Sequence, residues 1–218
     1  FSYQDNYCVY VAYNNQKEIQ VVKSKTDDFY IAWVDEKYGP AATKIHIQKT
    51  NRWGATQWYQ EGILTCTSVG KQYSPKLSIT NDGVVVAWVD HRDIYHTKAN
   101  LYAQKISPDG ELLWDDRGVM IGQFLDEYNA FDMDVNPEGN VFLVWDDWRF
   151  GDVKQSFFQE LEPGSNKLYQ INGYTLDISK NQQLNPQIAC FANGKTFAVW
   201  AEKEPVTGKC KIVLLKLD

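Results

Sequence analysis

Short apolar runs separated by turn residues recur along the whole chain, and four of them end in a tryptophan followed by acidic residues. They read FYIAWVDEK, VVVAWVDHR, VFLVWDDWR and TFAVWAEKE, with tryptophans at Trp33, Trp88, Trp145 and Trp200. The spacings between these tryptophans are 55, 57 and 55 residues. Runs rich in β-branched and aromatic residues predict strands, and no long window shows the 3.6-residue period of a helix. The pattern predicts an all-β, repetitive chain.

Each repeat carries further landmarks at fixed distances from its tryptophan. An acid stands two positions after it, and a base stands four positions after it in three of the copies. A strand with a glutamine follows, then an aromatic residue and, four positions later, a glycine at Gly62, Gly118 or Gly173. Turn sequences such as TNDG and SPDG divide each unit into four short strands. Four-stranded antiparallel units at this period predict a β-propeller with one blade per repeat.

The two ends of the chain complement each other in this register. Residues 1–13 align with the fourth strands of the other copies, whereas the last copy supplies only three strands. We therefore expect one four-bladed domain over residues 1–218, closed by pairing the N-terminal strand with the C-terminal blade. The expected blades are approximately 14–69, 70–125, 126–180, and 181–218 together with 1–13. A fragment of a larger ring is the alternative.

The same register places Cys8 opposite Cys210, which predicts a disulfide that joins the terminal strands. Cys66 and Cys190 fall on different strands of different blades and are expected to be free. None of the four cysteines has CxxC spacing, so zinc is not expected. The chain begins at Phe1 without a signal peptide, as expected of a mature product or an excised fragment.

Composition narrows the classes of function. The net charge of −6 and the pI near 5.1 argue against nucleic-acid or anionic-membrane binding. No apolar run approaches the roughly 20 residues that a membrane-spanning helix needs. Aromatic residues make up 14% of the chain, which favours pleated sheets or a recognition surface.

The repeated Trp-x-Asp-x-Arg element is the most obvious candidate for chemistry. Because it recurs in nearly every blade, we interpret it as structural and expect its charge pairs to tie adjacent blades together. A catalytic site would instead break the symmetry. The residues of this predicted structural repeat are Trp33, Asp35, Trp88, Asp90, Arg92, Trp145, Asp147, Arg149, Trp200 and Glu202.

Metal and nucleophile chemistry finds little support. The acidic segments DEYNAFDMD and WDDWRFGD offer oxygen ligands for Ca²⁺ but lack EF-hand spacing, so no metal site or cofactor is expected, with structural Ca²⁺ as a minor alternative. The three histidines lack zinc-ligand spacing, and GxSxG, P-loop and GxGxxG motifs are absent. SPDGELLW partly resembles the Asp-box of sialidases, but its glycine stands one place early. A glycosidase-like enzyme is a minor alternative.

The repeat AWxDxR, IYAQ, DG, LW resembles propeller repeats of secreted and cell-surface proteins of Bacteroidota and related bacteria, which often belong to large multidomain chains. The resemblance implies the fold and an extracellular or cell-surface location. We therefore expect a non-catalytic binding or scaffold domain that contacts a protein partner through rim loops. Carbohydrate binding or glycan processing at the central funnel is the alternative. The candidate ligand-binding aromatics are Tyr38, Tyr95, Trp148 and Phe150.

Overall fold

The computed structural model describes residues 7–92, 99–125, 130–170, 172–179 and 181–217, which form four separate antiparallel sheets. Within each sheet the strands pair in chain order, and we call the sheets blades 1 to 4. Blade 1 contains β1 (Gln16–Lys23), β2 (Phe29–Asp35), β3 (Lys44–Thr50) and β4 (Ile63–Leu64). Blade 2 contains β5 (Lys71–Thr80), β6 (Gly83–His91), β7 (Ala99–Ile106) and β8 (Val119–Leu125).

The other two blades repeat this arrangement with one difference. Blade 3 contains β9 (Phe131–Val135), β10 (Val141–Asp147), β11 (Gln155–Leu161) and β12 (Tyr174–Thr175). Blade 4 has three strands, β13 (Gln182–Cys190), β14 (Thr196–Lys203) and β15 (Cys210–Leu217). The all-β class is therefore confirmed. No helix among the described residues is long and apolar enough to cross a membrane.

Hydrogen bonds in the turns explain why the chain reverses between strands. In SPDG, the Ser107 hydroxyl accepts the backbone N–H groups of Asp109 (3.2 Å) and Glu111 (3.1 Å). Gly110 closes this turn at φ +92°, a conformation that costs glycine nothing. The residues that resemble an Asp-box therefore form a hairpin turn, which Ser107 closes and which comes before Trp114.

Apolar side chains between neighbouring blades form three cores. Each blade has a front face, which carries its repeat tryptophan and meets the preceding blade, and a rear face, which meets the following blade. Trp88, Trp145 and Trp200 are buried in the cores between blades 1 and 2, 2 and 3, and 3 and 4. Gly62, Gly118 and Gly173 lie beside the rings of Trp33, Trp88 and Trp145, and a Cβ on Gly118 would lie 2.7 Å from the Trp88 ring. The fixed-distance glycines of the repeat therefore serve packing.

The first strands of the blades lie side by side at the centre, because β1 contacts β5, β5 contacts β9, and β9 contacts β13. We call β1, β5, β9 and β13 the inner strands. The pairing registers of three of them shift opposite the repeat tryptophan, and the bulge residues there, Glu18, Ser74 and Asn185, have φ values of 53°, 54° and 53°. Such bulges bend a strand and redirect its side chains.

The four-blade closure predicted from the sequence is not confirmed. β15 pairs with β14, and no strand pairing among the described residues joins β15 to residues 7–13. Residues 7–13 instead contact blade 1, where the Tyr10 ring lies 5.0 Å from the Trp33 ring. What holds is the coarser prediction of a propeller-like stack of four antiparallel sheets.

Candidate functional site

The repeated Trp-x-Asp-x-Arg element forms a closed hydrogen-bond cluster in blade 2. The buried carboxylate of Asp90 accepts the indole N–H of Trp88 (2.8 Å), the backbone N–H of Arg92 (2.8 Å), and the Arg92 Nε (2.9 Å) and Nη2 (2.7 Å). Arg92 also donates to the Arg117 carbonyl (2.7 Å) and lies 3.5 Å above the Tyr102 ring. These partners belong to blade 2, whereas Nη2 of Arg92 also lies 3.5 Å from Sγ of Cys66, which follows β4, so the cluster closes the end of its own blade and touches the preceding one.

Blade 3 repeats the cluster with small differences. Asp147 accepts the Trp145 indole (3.1 Å) and the Arg149 guanidinium, which lies 3.7 Å from the Phe157 ring. Further ties between adjacent blades are made by two glutamines at the start of inner strands. Gln72 accepts the backbone N–H of Ile45 (3.2 Å), and Gln183 accepts that of Ser156 (2.8 Å).

Blade 1 departs from this pattern. Asp35 accepts the hydroxyl of Tyr10 (2.5 Å) and the backbone N–H of Lys37 (2.8 Å), and it lies 4.0 Å from Nε2 of His46. Burial raises the pKa of Tyr10, with its hydrogen bond to Asp35 as the second cause, and burial lowers the pKa of His46. The indole N–H of Trp33 is buried without a hydrogen-bond partner among the described residues. In blade 4, Glu202 takes the acid position and pairs with Lys211 (3.1 Å).

The inner strands carry acids that the repeat does not share. Glu18, exposed on β1, accepts the backbone N–H of Ser74 on β5 at 2.5 Å. Asp132, on β9, pairs with Lys76 on β5 (3.4 Å) and accepts the backbone N–H of Ile188 on β13 (3.2 Å). Two carboxylates from different blades therefore engage positions two residues apart on the same central strand.

Asp134 lies further along β9 and is used structurally. Its carboxylate accepts the hydroxyl of Ser78 (3.2 Å) and the backbone N–H of Cys190 (2.8 Å), joining blades 2, 3 and 4. Asp132 and Asp134 were minor Ca²⁺ candidates in the sequence, but both now have protein partners. No group of three or more metal-ligating side chains occurs within the described ranges, while Asp126 and Glu127 lie outside them.

Asp146 holds two of the inner strands in place. It is fully buried, pairs with Lys154 (2.7 Å), and accepts the backbone N–H groups of Ala130 (3.1 Å) and Asn185 (2.8 Å). Burial raises its pKa, against the opposing effect of Lys154. Because Ala130 directly precedes β9 and Asn185 lies at the bulge of β13, Asp146 positions both strands.

The aromatic residues predicted to bind a ligand follow β2 and β10 at the same end of the blades. Tyr38 is 61% exposed, Phe150 is 65% exposed and Trp148 is 38% exposed, so these rings are accessible for stacking. Tyr95 lies outside the described residues. The structure does not bring the three described rings into contact with one another, since Phe150 packs 5.9 Å from Phe157 and Tyr38 lies beneath Lys37.

All four cysteines are free thiols in the structure. Cys8 and Cys210 are exposed and not bonded to each other, so their disulfide stays a prediction, whereas Cys66 is buried. The sequence did not single out Glu18 or Lys76, and it singled out Asp146 only as part of the acidic segment WDDWRFGD. A signal for Lys76 was present, because one inner-strand position carries three different residue types across the four blades: Gln20, Lys76, Asp132 and Gln187.

Comparisons with known proteins identify the fold. Neither a protein-family model nor a curated protein matches the chain. The endo-arabinase of Bacteroides thetaiotaomicron VPI-5482 superposes with a TM-score of 0.52 at 14% identity, over 97% of this chain and 78% of that one. A thermostable family-43 glycoside hydrolase superposes with a TM-score of 0.52 at 12% identity, over 92% of this chain and 70% of that one. A Dyadobacter fermentans DSM 18053 protein of unknown function superposes with a TM-score of 0.57 at 13% identity, over 94% of this chain and 68% of that one.

At these identities the likeness shows the fold, which is of the propeller type with five blades in the hydrolase neighbours. No comparison supports the particular Bacteroidota repeat type. The expectation of a non-catalytic scaffold that binds a protein partner is contradicted, because the similar structures are mostly glycoside hydrolases. The expectation that the chain is not an enzyme is corrected for the same reason.

Proposed function

We propose that this chain is a carbohydrate-processing propeller that hydrolyses a glycosidic bond at the end of the inner strands where Glu18 and Asp132 meet β5. The observation that carries the proposal is the placement of these two carboxylates. They come from different blades, they break the repeat symmetry, and they engage Ser74 and Lys76 on one strand. Glycoside hydrolysis characteristically uses two carboxyl groups on either side of the scissile bond.

The surroundings of the two acids suggest their roles. Asp132, paired with Lys76, is assigned as the base that activates water or attacks the sugar. Glu18 has no ion pair among the described residues, is exposed, and is assigned as the proton donor to the leaving oxygen. Asp146 is assigned as a positioning residue, because it holds the inner strands of blades 3 and 4 from beneath.

Arabinose-containing glycans are the proposed substrate class. The support comes from the similar structures, among them an endo-arabinase and a Penicillium chrysogenum α-L-arabinanase complexed with arabinobiose. The exposed rings of Tyr38, Trp148 and Phe150 at the same end could stack on further sugar units, as aromatic rings do in sugar sites. A polymeric substrate would also fit the extracellular location that the sequence suggested.

The test is hydrolysis of linear arabinan, arabino-oligosaccharides and aryl arabinofuranosides, followed by the release of reducing sugar or aryl alcohol. We expect Glu18→Gln and Asp132→Asn each to lower kcat by at least about 100-fold, the range of general acid–base catalysis. Glu36→Gln is the matched control, since Glu36 is a carboxylate at the same end that pairs with Lys17 (2.6 Å).

Circular dichroism and thermal melting of the same samples separate lost chemistry from lost folding. Equal activity of Glu18→Gln, Asp132→Asn and Glu36→Gln would reject the assignment of the acids. Arabinan binding by calorimetry without any hydrolysis would replace the enzyme with a carbohydrate-binding domain. Neither binding nor hydrolysis across arabinan, xylan and mannan would reject the glycan proposal altogether.

A further inference from the structure

The rear face of blade 4 is open where the other rear faces are closed. Ile212 and Leu214 on β15 are 74% and 66% exposed. Their pairing partners, Ala201 and Val199, stand one residue after and one residue before the repeat tryptophan. At the same two repeat positions the rear faces of blades 1, 2 and 3 carry residues at most 7% exposed: Ile45, Ile47, Leu101, Ala103, Ser156 and Phe158.

The front face of blade 1 is open in the same way. Val21 pairs with Ile31, two residues before the repeat tryptophan, and is 64% exposed. Met133 and Ile188 occupy this position in blades 3 and 4 and are 7% and 8% exposed, because a preceding blade covers them. Blade 1 therefore shows the surface that meets a preceding blade, and blade 4 shows the surface that meets a following one.

Residues 7–13 lie where the last strand of a preceding blade would lie. In the register of the repeat, Tyr10 corresponds to Ile121 and Leu176, which lie in the cores that contain Trp145 and Trp200 of the next blade. Tyr10 covers Trp33 in the same manner, with its ring 5.0 Å away. Only the fourth-strand position in front of blade 1 is thus occupied. Among the residues that the structure describes, no strand pairs with residues 7–13 and no fourth strand pairs with β15.

We propose that the gap between blades 4 and 1 receives one further four-stranded β-blade of the same repeat. One strand of the incoming unit extends β15, and its next three strands pair beside residues 7–13. Its tryptophan-bearing front face packs on Ile212 and Leu214, and its rear face packs on Ile19 and Val21. The three blade-to-blade interfaces already present join the same two kinds of face, so the occupant is specified by continuity of the repeat. This inference is independent of the proposed hydrolysis.

The register permits a direct test with this chain's own repeat. Leu217 pairs with Thr196, four residues before Trp200, as Thr50 pairs with Phe29, four residues before Trp33. A second copy of residues 51–106 attached after Leu217 therefore continues the repeat and supplies one blade. We expect the extended protein to be monomeric and to melt about 10 °C higher than the natural chain, because several exposed aliphatic side chains become buried.

The matched variant is Ile212→Lys with Leu214→Lys, introduced into both proteins. In the natural chain these positions face solvent, so the double variant should leave the melting temperature within about 2 °C of its parent. In the extended protein it should abolish the gain, because two ammonium groups would be buried in the new interface. A double variant that destabilises both proteins equally, or an extension that adds no stability, would overturn the proposal.

Two further outcomes would overturn it by identifying another occupant. A natural chain that sediments as a dimer, and as a monomer once Ile212 and Leu214 are lysine, would assign the surface to a second copy. A Cys8–Cys210 disulfide found by non-reducing peptide mapping would assign it to the four-blade closure, since β15 would then pair with the N-terminal segment. A natural chain that is monomeric and has free Cys8 and Cys210 would support the proposal that a further blade fills the gap between blades 4 and 1.

Discussion

Replacing Asp90 by alanine tests whether the repeated cluster stabilises its blade. The substitution leaves the Arg92 guanidinium, whose side chain is 16% exposed, without its carboxylate, and the buried Trp88 indole without its acceptor. Breaking a buried ion pair by removing one partner costs about 3–5 kcal/mol. For a chain of this length that corresponds to a fall in Tm of roughly 6–20 °C. We therefore expect Asp90→Ala to be among the most destabilising single changes in blade 2.

Blade 1 supplies the comparison that makes this prediction specific. Asp35 stands at the same repeat position but accepts Tyr10 and a backbone N–H, and the Trp33 indole has no partner among the described residues. Asp35→Ala therefore removes no arginine pair and should cost only about 1–2 kcal/mol. Urea denaturation followed by tryptophan fluorescence measures both free energies of unfolding.

A double-mutant cycle between Asp90→Ala and Arg92→Met isolates the ion pair. The double variant should be more stable than Asp90→Ala alone, since it no longer buries an unpaired guanidinium. If Asp90→Ala lowered the free energy of unfolding by less than about 1 kcal/mol, or by no more than Asp35→Ala does, the buried ion pair would not be what stabilises the blade. Asp90→Ala with unchanged stability but a loss of arabinan hydrolysis would instead move the repeat into the active site.

Two more predictions concern packing and pH. Gly118→Ala should lower the free energy of unfolding by about 2–5 kcal/mol, because its φ is +77° and the new Cβ would lie 2.7 Å from the Trp88 ring. Gly151 has φ +99° and nothing within 4 Å of a new Cβ. Gly151→Ala should therefore show only the backbone cost of about 1–2 kcal/mol in the same urea titration. Since burial lowers the pKa of His46 below its ordinary 6.5, the unfolded chain binds more protons there, and stability should fall as the pH drops below about 6.5. His46→Phe, which copies Phe157 at this repeat position, should reduce the loss in urea midpoint between pH 7.5 and pH 5; an equal loss in both proteins would assign the pH dependence to other groups.

The strands of the blades could be predicted from sequence because each sheet is built from local hairpins. The turn residues and the alternation of apolar side chains are encoded within about 55 residues, and they recur. The Trp88–Asp90–Arg92 cluster was visible for the same reason. The partners of its arginine were not: the Arg92 guanidinium pairs with Asp90 of its own blade, and Gln72 bonds the backbone of the preceding one. Which way a strand-end side chain turns depends on tertiary packing that the pattern does not contain.

The number of blades needed to close the ring depends on the angle between adjacent blades, and no local pattern specifies that angle. Complementary ends such as residues 7–13 and β15 are compatible with four blades or with one more, because adding a whole repeat leaves the register unchanged. The burial of side chains on the outer faces of the first and last blades distinguishes four blades from five, whereas the strand register does not. Ile212 and Leu214 are exposed at positions that are buried in every other blade, and this contrast carries the structural information about the missing neighbour.

The carboxylates of the candidate site were obscured in the sequence by the strength of the repeat. Repetition draws attention to residues that every blade needs, whereas a reaction on an asymmetric sugar needs different groups on its different sides. Along the inner strands, Glu18 meets Ser74 and Lys76 meets Asp132 at equivalent repeat positions of adjacent blades, but the residue types at each position differ. In a symmetric scaffold, chemistry is therefore best sought at the repeat positions that differ most between blades and lie nearest the common axis.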